Sequence, residues 1–264
     1  YKDSDIIMSG STDMDTTVIV TPVYEDNEAS SRLFQELANV FGSKLYIVAV
    51  DDGSVYQPVD VENIEAAGTQ GVVIKLKRNV GHQRAIAIGL SYVDNNIGQA
   101  KHVVVMDSDG EDLPDSIKDL VQFLDSEQVD MVVAERKSRV ETLRFRAFYI
   151  IYKVIFRFLS GRRISFGNFM ALKPAAVKRL VAMQELWIHV AACALTSKLR
   201  IARCSLDRGP RYAGQSKMNF VGLALHGFKG LMVFAEDVLV RVGIACSLVA
   251  ALSIIGSIIA IALK

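Results

Sequence analysis

The sequence predicts an α/β protein: a mostly parallel sheet with helices on both faces, followed by membrane-proximal amphipathic helices and a C-terminal transmembrane helix. Three observations carry this. Short β-branched runs alternate with helical stretches through the first half, the pattern of a parallel sheet with crossover helices. Polar clusters follow four of the predicted strands. And from Val242 to Leu263 no residue is charged.

The predicted strands are Thr17–Thr21, Leu45–Val50, Val72–Leu76, His102–Met106 and Met131–Ala134, each rich in Val, Ile or Leu. Helical stretches lie near Ala29–Phe41, Gln83–Asn95 and Asp115–Ser126. Ser30 and Asp115 are candidate caps, and Pro114 marks the start of the third helix. Beyond the fifth strand, Arg144 to Leu159 interleaves basic residues (Arg144, Arg146, Lys153, Arg157) with Phe, Tyr and Ile. Such a helix can lie in a lipid interface, although an ordinary packed helix with a basic edge reads the same. Phe220 to Phe234 is a second apolar stretch, interrupted by His226 and Lys229. The charge-free segment that follows has about 22 residues, roughly 33 Å as a helix, enough to cross a hydrocarbon core. Lys217, Lys229 and Arg241 precede it and Lys264 follows, a bias that places the preceding domain on the cytoplasmic face of a membrane.

Composition excludes several classes. A net charge of +1 over 264 residues gives no electrostatic footprint for nucleic acid. Cys193, Cys204 and Cys246 are odd in number and far apart, so neither a disulfide framework nor a zinc site is expected. His82, His102, His189 and His226 lack metal-ligand spacing. There is no Gly-x-x-x-x-Gly-Lys loop, no Gly-x-Gly-x-x-Gly fingerprint and no Gly-x-Ser-x-Gly elbow.

The polar clusters are Tyr24-Glu25-Asp26, Asp51-Asp52-Gly53-Ser54, Arg78 to Gln83, and Asp107 to Glu111. Open α/β sheets bind ligands at the carboxyl edge of their strands. Singly, each cluster reads equally well as a surface turn; together they predict one site. Asp107 and Asp109 would repel each other in a cleft, and a divalent cation, Mg2+ or Mn2+, removes that conflict while holding substrate phosphates. Glu111 would add a third oxygen ligand. Asp51 or Asp52 would accept hydrogen bonds from a base or ribose. Arg78 and His82 would reach donor phosphates, with Gly81 letting the backbone approach. Arg136, Lys137 and Arg139 would neutralise phosphate or form a solvated basic loop.

In order and spacing, Thr21-Pro22-Val23-Tyr24, Asp51-Asp52-Gly53-Ser54, Arg78-Asn79-Val80-Gly81-His82-Gln83 and Asp107-Ser108-Asp109 resemble the family 2 glycosyltransferases of GT-A fold. Arg78 to Gln83, Ala85, Gly89 and Arg211-x-x-Gly214-x-Ser216-Lys217 resemble more closely the polyprenyl-phosphate glycosyltransferases, such as dolichol-phosphate mannose synthase and bactoprenol glucosyltransferases. The resemblance implies inverting transfer of a hexose from a nucleotide diphosphate sugar, a UDP-sugar being favoured, to polyprenyl phosphate in cell envelope polysaccharide assembly. It implies that Pro22, Tyr24, Asp26 and Asp52 line the nucleotide pocket with Asp51, Arg78, Gly81, His82 and Gln83 beside them. Asp107 and Asp109 would hold the metal, with Glu111 where relatives often have Gln. Arg136, Arg211, Ser216 and Lys217 would meet phosphates of the donor or the lipid. Relatives can form tetramers, so a homo-oligomer is also implied. The resulting domain scheme is a polar tail at 1–15, a catalytic domain at 16–217, an interfacial helix at 218–240 and a transmembrane helix at 241–264.

Two departures bear on the acceptor. Relatives that transfer glucose often read Gly-Asp-Phe-Arg where this chain has Gly167-Asn168-Phe169-Met170, and an amide cannot act as a general base. A phosphate acceptor is mostly dianionic at neutral pH and needs no base, whereas a sugar hydroxyl does. Glu25 also replaces the usual Asn. A single-addition transferase to a sugar hydroxyl is the alternative. A processive synthase is disfavoured, because Gln184-Glu185-Leu186-Trp187 lacks the Arg and the spacing of Gln-x-x-Arg-Trp.

Overall fold

The computed structural model describes residues 4–9, 15–97, 99–136, 153–162, 166–212 and 220–263. The chain divides into two compact units, 1–140 with 165–219, and 141–164 with 220–264.

The first unit is built on an eight-stranded sheet of order β1-β4-β3-β2-β5-β7-β6-β8. The strands are β1 Ser4–Ser9, β2 Thr17–Val23, β3 Leu45–Asp51, β4 Gln70–Leu76, β5 His102–Val105, β6 Met131–Arg136, β7 Met170–Leu172 and β8 Ile201–Leu206. β2, β3, β4 and β5 run parallel, as do β6 and β8, while β1 and β7 run antiparallel to their neighbours. The five predicted strands form. β1 lies within the polar N-terminal stretch. β7 has only three residues, and neither it nor β8 carries a long apolar run.

The helices are α1 Asn27–Phe41, α2 Val61–Ala66, α3 His82–Asn96, α4 Ser116–Ser126, α5 at 153–160, α6 Pro174–Val181, α7 Val190–Thr196, α8 Phe220–Met232 and α9 Ala235–Ala262. Asp115 is the N-cap residue of α4, though its side chain makes no capping bond. Ser30 is not a cap. α1 starts three residues before it, and the Ser30 hydroxyl bonds back to the carbonyls of Asp26 and Asn27.

Because both faces of the sheet are covered, its strands read as continuous apolar runs rather than alternating ones. The pleat still divides them. Val18, Val20, Val48, Val50, Val103 and Val105 pack with Ile86 and Leu90 of α3 and with α6 and α7. Ile19, Ile47, Val73, Val104 and Val132 pack with Leu33, Phe34 and Leu37 of α1, Ile64 of α2 and Ile117 and Leu120 of α4. Each fully buried aliphatic side chain contributes about 1.5–3 kcal/mol of transfer free energy. Cys193 belongs to the first of these layers. Burial, reinforced by Glu185, pushes its thiol up to about 12, so it stays protonated at neutral pH. In the folded protein at pH 8, iodoacetamide is expected to leave Cys193 unmodified until denaturant is added. Peptide mapping that found it alkylated at the rate of a free thiol would contradict this packing.

In the second unit, Phe156 of α5 meets Phe234 edge-to-face, with ring centroids 5.7 Å apart. Arg241 donates to the Phe158 carbonyl at 3.3 Å. α9 is 28 residues long, about 42 Å at helical rise, and is long and apolar enough to cross a membrane. Its hydroxyls at Ser247, Ser253 and Ser257 all bond back to carbonyls four residues earlier, so none presents an unmet polar group to a lipid phase. α9 begins at Ala235, ahead of the expected 241 boundary, because the helix already runs through Glu236, Asp237 and Arg241 before the charge-free stretch starts. Much of the predicted basic-aromatic helix, from Arg144 to Tyr152, lies outside the described residues.

Candidate active site

Strand order reverses between β2 and β5. From β2 the chain winds outward through β3 and β4, then returns to place β5 on the other side of β2. Such a switch point opens a crevice at the carboxyl edge. The four polar clusters follow β2, β3, β4 and β5, which are adjacent and parallel, so all four lie on this one edge.

The first three clusters are bound to one another. Asp51 is buried and accepts from the N–H groups of Ser54 and Val59 at 2.8 and 2.9 Å. Asp52, also buried, accepts from Val80 and Gly81 at 2.7 and 2.9 Å, tying the loop after β3 to the loop after β4. Burial pushes the Asp52 carboxyl up, against the pull of these two N–H groups and of His82. Glu25 has φ 48°, a conformation that Asn tolerates better than Glu. Its carboxylate nevertheless accepts from the N–H groups of Val55, Tyr56 and Gln57 at 2.7–3.0 Å, while its own N–H donates to Ser54. These acids therefore shape the loops of the crevice. Tyr24 is exposed beside them, Asp26 is the N-cap residue of α1 without a side-chain capping bond, and Pro22 lies within β2. Arg78 sits in the loop that Asp52 holds.

The fourth cluster meets cations from distant parts of the chain. His82, at the start of α3, places Nε2 3.2 Å from Asp107 Oδ1. Burial acts to lower the His82 pKa, but Asp107 at contact distance, then Asp109 and Asp52, leave it raised. Arg211 reaches Asp109 Oδ2 at 2.6 Å and Glu111 at 3.4 Å, and Arg208 also pairs with Glu111. Burial lowers the Arg208 pKa against the pull of Asp109 and Asp107. The segment carrying these arginines is laid along the cluster by backbone bonds from Gly209 N–H to Glu111 and from Tyr212 N–H to Asp109, at 3.0 and 2.9 Å. Gly110 has φ 86°, and a Cβ there would lie 2.5 Å from the Tyr212 ring, so the close approach requires glycine. Arg32 lies over the Tyr212 ring, its guanidinium carbon 4.3 Å from the ring centre.

Asn168, just before β7, joins the same group. Its Nδ2 is 2.9 Å from His82 Nε2, and its Oδ1 accepts from Gln83 Nε2 at 3.2 Å. Gln83 Oε1 in turn accepts from the Val190 N–H at 2.6 Å. Gln83 is thus buried as a strut between α3, the start of α7 and Asn168.

Asp107 and Asp109 are hard oxygen donors whose side chains are 29% and 14% exposed. This pair suits Mg2+ or Mn2+, which keep several waters and take their remaining ligands from substrate phosphates. Glu111 is held by two guanidinium groups. Among the described residues no group of three His, Cys, Asp or Glu side chains stands ready to hold a metal. Arg208 was not singled out from the sequence. Its only signal there is the run Asp207-Arg208-Gly209-Pro210-Arg211, charged and glycine-rich, right after a strand. Arg136 ends β6 at the same edge, its side chain undescribed. Lys137, Arg139, Gly214, Ser216 and Lys217 lie outside the described residues.

The fold is an α/β fold of the GT-A class, with its polar clusters gathered on the switch-point edge. Residues 18–187 match the profile of Glycosyl transferase family 2, most of the chain, and the protein belongs to that family. It is 25% identical over 212 residues to the undecaprenyl-phosphate 4-deoxy-4-formamido-L-arabinose transferase of Edwardsiella ictaluri, covering 78% of this chain and 63% of the relative. It is 27% identical over 225 residues to an uncharacterised glycosyltransferase of Synechocystis, covering 82% and 69%. The chain thus spans just under two thirds of the length of the first of these. Among solved structures it is similar to glucosyl-3-phosphoglycerate synthase from Mycobacterium tuberculosis in complex with Mn2+, UDP-glucose and phosphoglyceric acid. That likeness has a TM-score of 0.58 at 16% identity, covers 87% of this chain and 80% of that one, and concerns the fold.

Proposed function

We propose that this glycosyltransferase moves a hexose from a nucleotide diphosphate sugar, with a UDP-sugar favoured, to a polyprenyl phosphate at a membrane surface, with inversion at the anomeric carbon. The observation that carries the acceptor class is Asn168. It stands beside His82 and Asp107, and its amide has no proton-accepting nitrogen or carboxylate with which to activate a hydroxyl. A phosphate acceptor brings its own anionic nucleophile. The undecaprenyl-phosphate transferase named above is a relative whose acceptor, by its name, has this chemistry.

In this reading the crevice at the β2/β5 switch receives the nucleotide, with Pro22, Tyr24 and Asp26 on one side. Asp51, Asp52 and Gly81 hold the loops that present Arg78 and His82 toward phosphate. Asp107 and Asp109 would hold Mg2+ or Mn2+, which supplies charge for the leaving diphosphate. Gln83 fixes the start of α3. Arg211, with Arg136, Ser216 and Lys217, faces phosphate of the donor or the lipid. One lipid phosphate oxygen attacks the anomeric carbon as the bond to the diphosphate breaks. Cationic side chains held in place beforehand stabilise the charge that develops on the leaving group. α9 crosses the membrane and keeps the first unit on the cytoplasmic face. A homo-oligomer, a tetramer by resemblance, belongs to the same proposal.

Nucleotide diphosphate release, measured with a panel of nucleotide sugars plus Mn2+ or Mg2+, tests this. Release is expected to require both the metal and added polyprenyl phosphate. Release indifferent to the lipid would move the acceptor to a sugar hydroxyl or to water.

A further inference from the structure

The opposite edge of the sheet carries a second charged cleft. A cavity of about 250 Å³ is lined by Asp130, Lys173, Ala175, Ala176, Arg179, Lys198 and Leu199. Asp130 immediately precedes β6, Lys173 follows the antiparallel β7, and Lys198 precedes β8, so these residues share the edge away from Asp107. The backbone there is tightly joined. Asp130 N–H donates to the Arg200 carbonyl at 2.9 Å, and Lys173 N–H donates to the Asp130 carbonyl at 3.1 Å.

The charge on this cleft is unbalanced. Asp130 is its one carboxylate, and it is already bound by Arg200 through Nε and a terminal nitrogen at 3.1 and 2.8 Å. Three cations remain, Lys173, Arg179 and Lys198. Among the described residues neither lysine forms an ion pair. Arg179 is oriented by donating Nε to the Ser197 carbonyl, which leaves its other N–H groups available. Lys198 adopts φ 59°, a backbone state in which glycine is the cheaper residue. With Asp130 neutralised by Arg200, these three cations leave an excess of three positive charges, enough to take up a phosphate dianion. At about 30 Å³ per water the cavity has room for a phosphate group and a short piece of what bears it.

We propose that this cleft binds a phosphate-bearing anion at a site separate from the catalytic edge. Charge-assisted bonds from two lysines and an arginine would hold it. The phosphate can come from a soluble compound or from a lipid headgroup, and the test separates the two. Calorimetric titration at low ionic strength would use the full chain in non-ionic micelles. One arm adds inorganic phosphate; the other compares micelles doped with phosphatidic acid or with phosphatidylcholine. The variants are Lys173→Met and Lys198→Gly. The second removes an ammonium while easing the backbone, so it should fold at least as well as the parent.

Each variant is expected to weaken binding about tenfold or more, without a lower unfolding temperature. Loss of inorganic phosphate binding in both variants supports a soluble ligand. Binding seen only with phosphatidic acid, and lost in both variants, supports a lipid headgroup. Binding of equal strength in parent and variants, or none in either arm, overturns the proposal.

Discussion

Asp109→Asn is expected to lower sugar transfer by about a thousandfold or more, the scale on which preorganised charge acts at a developing anion. The substitution is nearly isosteric. Asp109 Oδ1 accepts from the Glu111 N–H at 3.0 Å, and an amide oxygen can do the same. What changes is the charge facing Arg211 at 2.6 Å and the affinity for a divalent ion. Arg211 keeps Glu111 as a second anion at 3.4 Å, so the fold should survive. The check is nucleotide diphosphate release at saturating Mn2+, read beside thermal unfolding. Near-normal turnover in a folded variant would remove Asp109 from the metal role. Turnover restored by raised Mn2+ would instead locate the loss in metal affinity.

Gly53→Ala should cost about 2–5 kcal/mol and abolish activity together. Gly53 has φ 74°, which charges an alanine roughly 1–2 kcal/mol. A Cβ there would also lie 2.6 Å from Asn79 N, with the Arg78 carbonyl carbon closer still. Both neighbours are backbone, so relief requires moving the whole loop after β4, at about 1–3 kcal/mol. That loop is the one Asp52 holds through Val80 and Gly81, and it leads directly to His82. Urea denaturation would give the stability change. A variant of parental stability and activity would show that the two loops are not in this close register.

The parts of the fold that the sequence announces are those whose signal is local. β2 to β6 are runs of β-branched residues long enough to show against helical periodicity, and α1, α3 and α4 carry apolar faces. β7 is three residues held between β5 and β6 by partners far away in sequence, and a span that short has no period to detect. The site divides in the same way. The four polar clusters stand next to their strands and were visible. The contacts that give them meaning join His82 to Asp107, Arg211 to Asp109 and Gln83 to Asn168, across 25 to 102 residues of chain. Asp51, Asp52 and Glu25 illustrate a limit in chemistry rather than distance. Composition cannot show that a carboxylate also holds loop backbone: Asp51 accepts N–H groups of its own loop, while Asp52 and Glu25 accept those of neighbouring loops.

The reversed direction of β7 has a consequence for how such an enzyme can change its acceptor. β6 leaves the sheet at the catalytic edge with Arg136, and β7 starts at that same edge just after Asn168. The two strands are neighbours, with Val133 opposite Met170. The chain therefore leaves the sheet after β6 and re-enters it at β7, an adjacent strand, on one edge. The sheet pairing itself sets no length for the stretch between, whereas Phe156 and Phe158 within it meet Phe234 and Arg241. The loops after β2, β3 and β4 have no such freedom, because Glu25 and Asp52 tie them to one another. The edge thus combines three loops in fixed register with a stretch whose length the sheet pairing leaves open, and chimeras that swap 137–165 between relatives test which of the two carries acceptor choice.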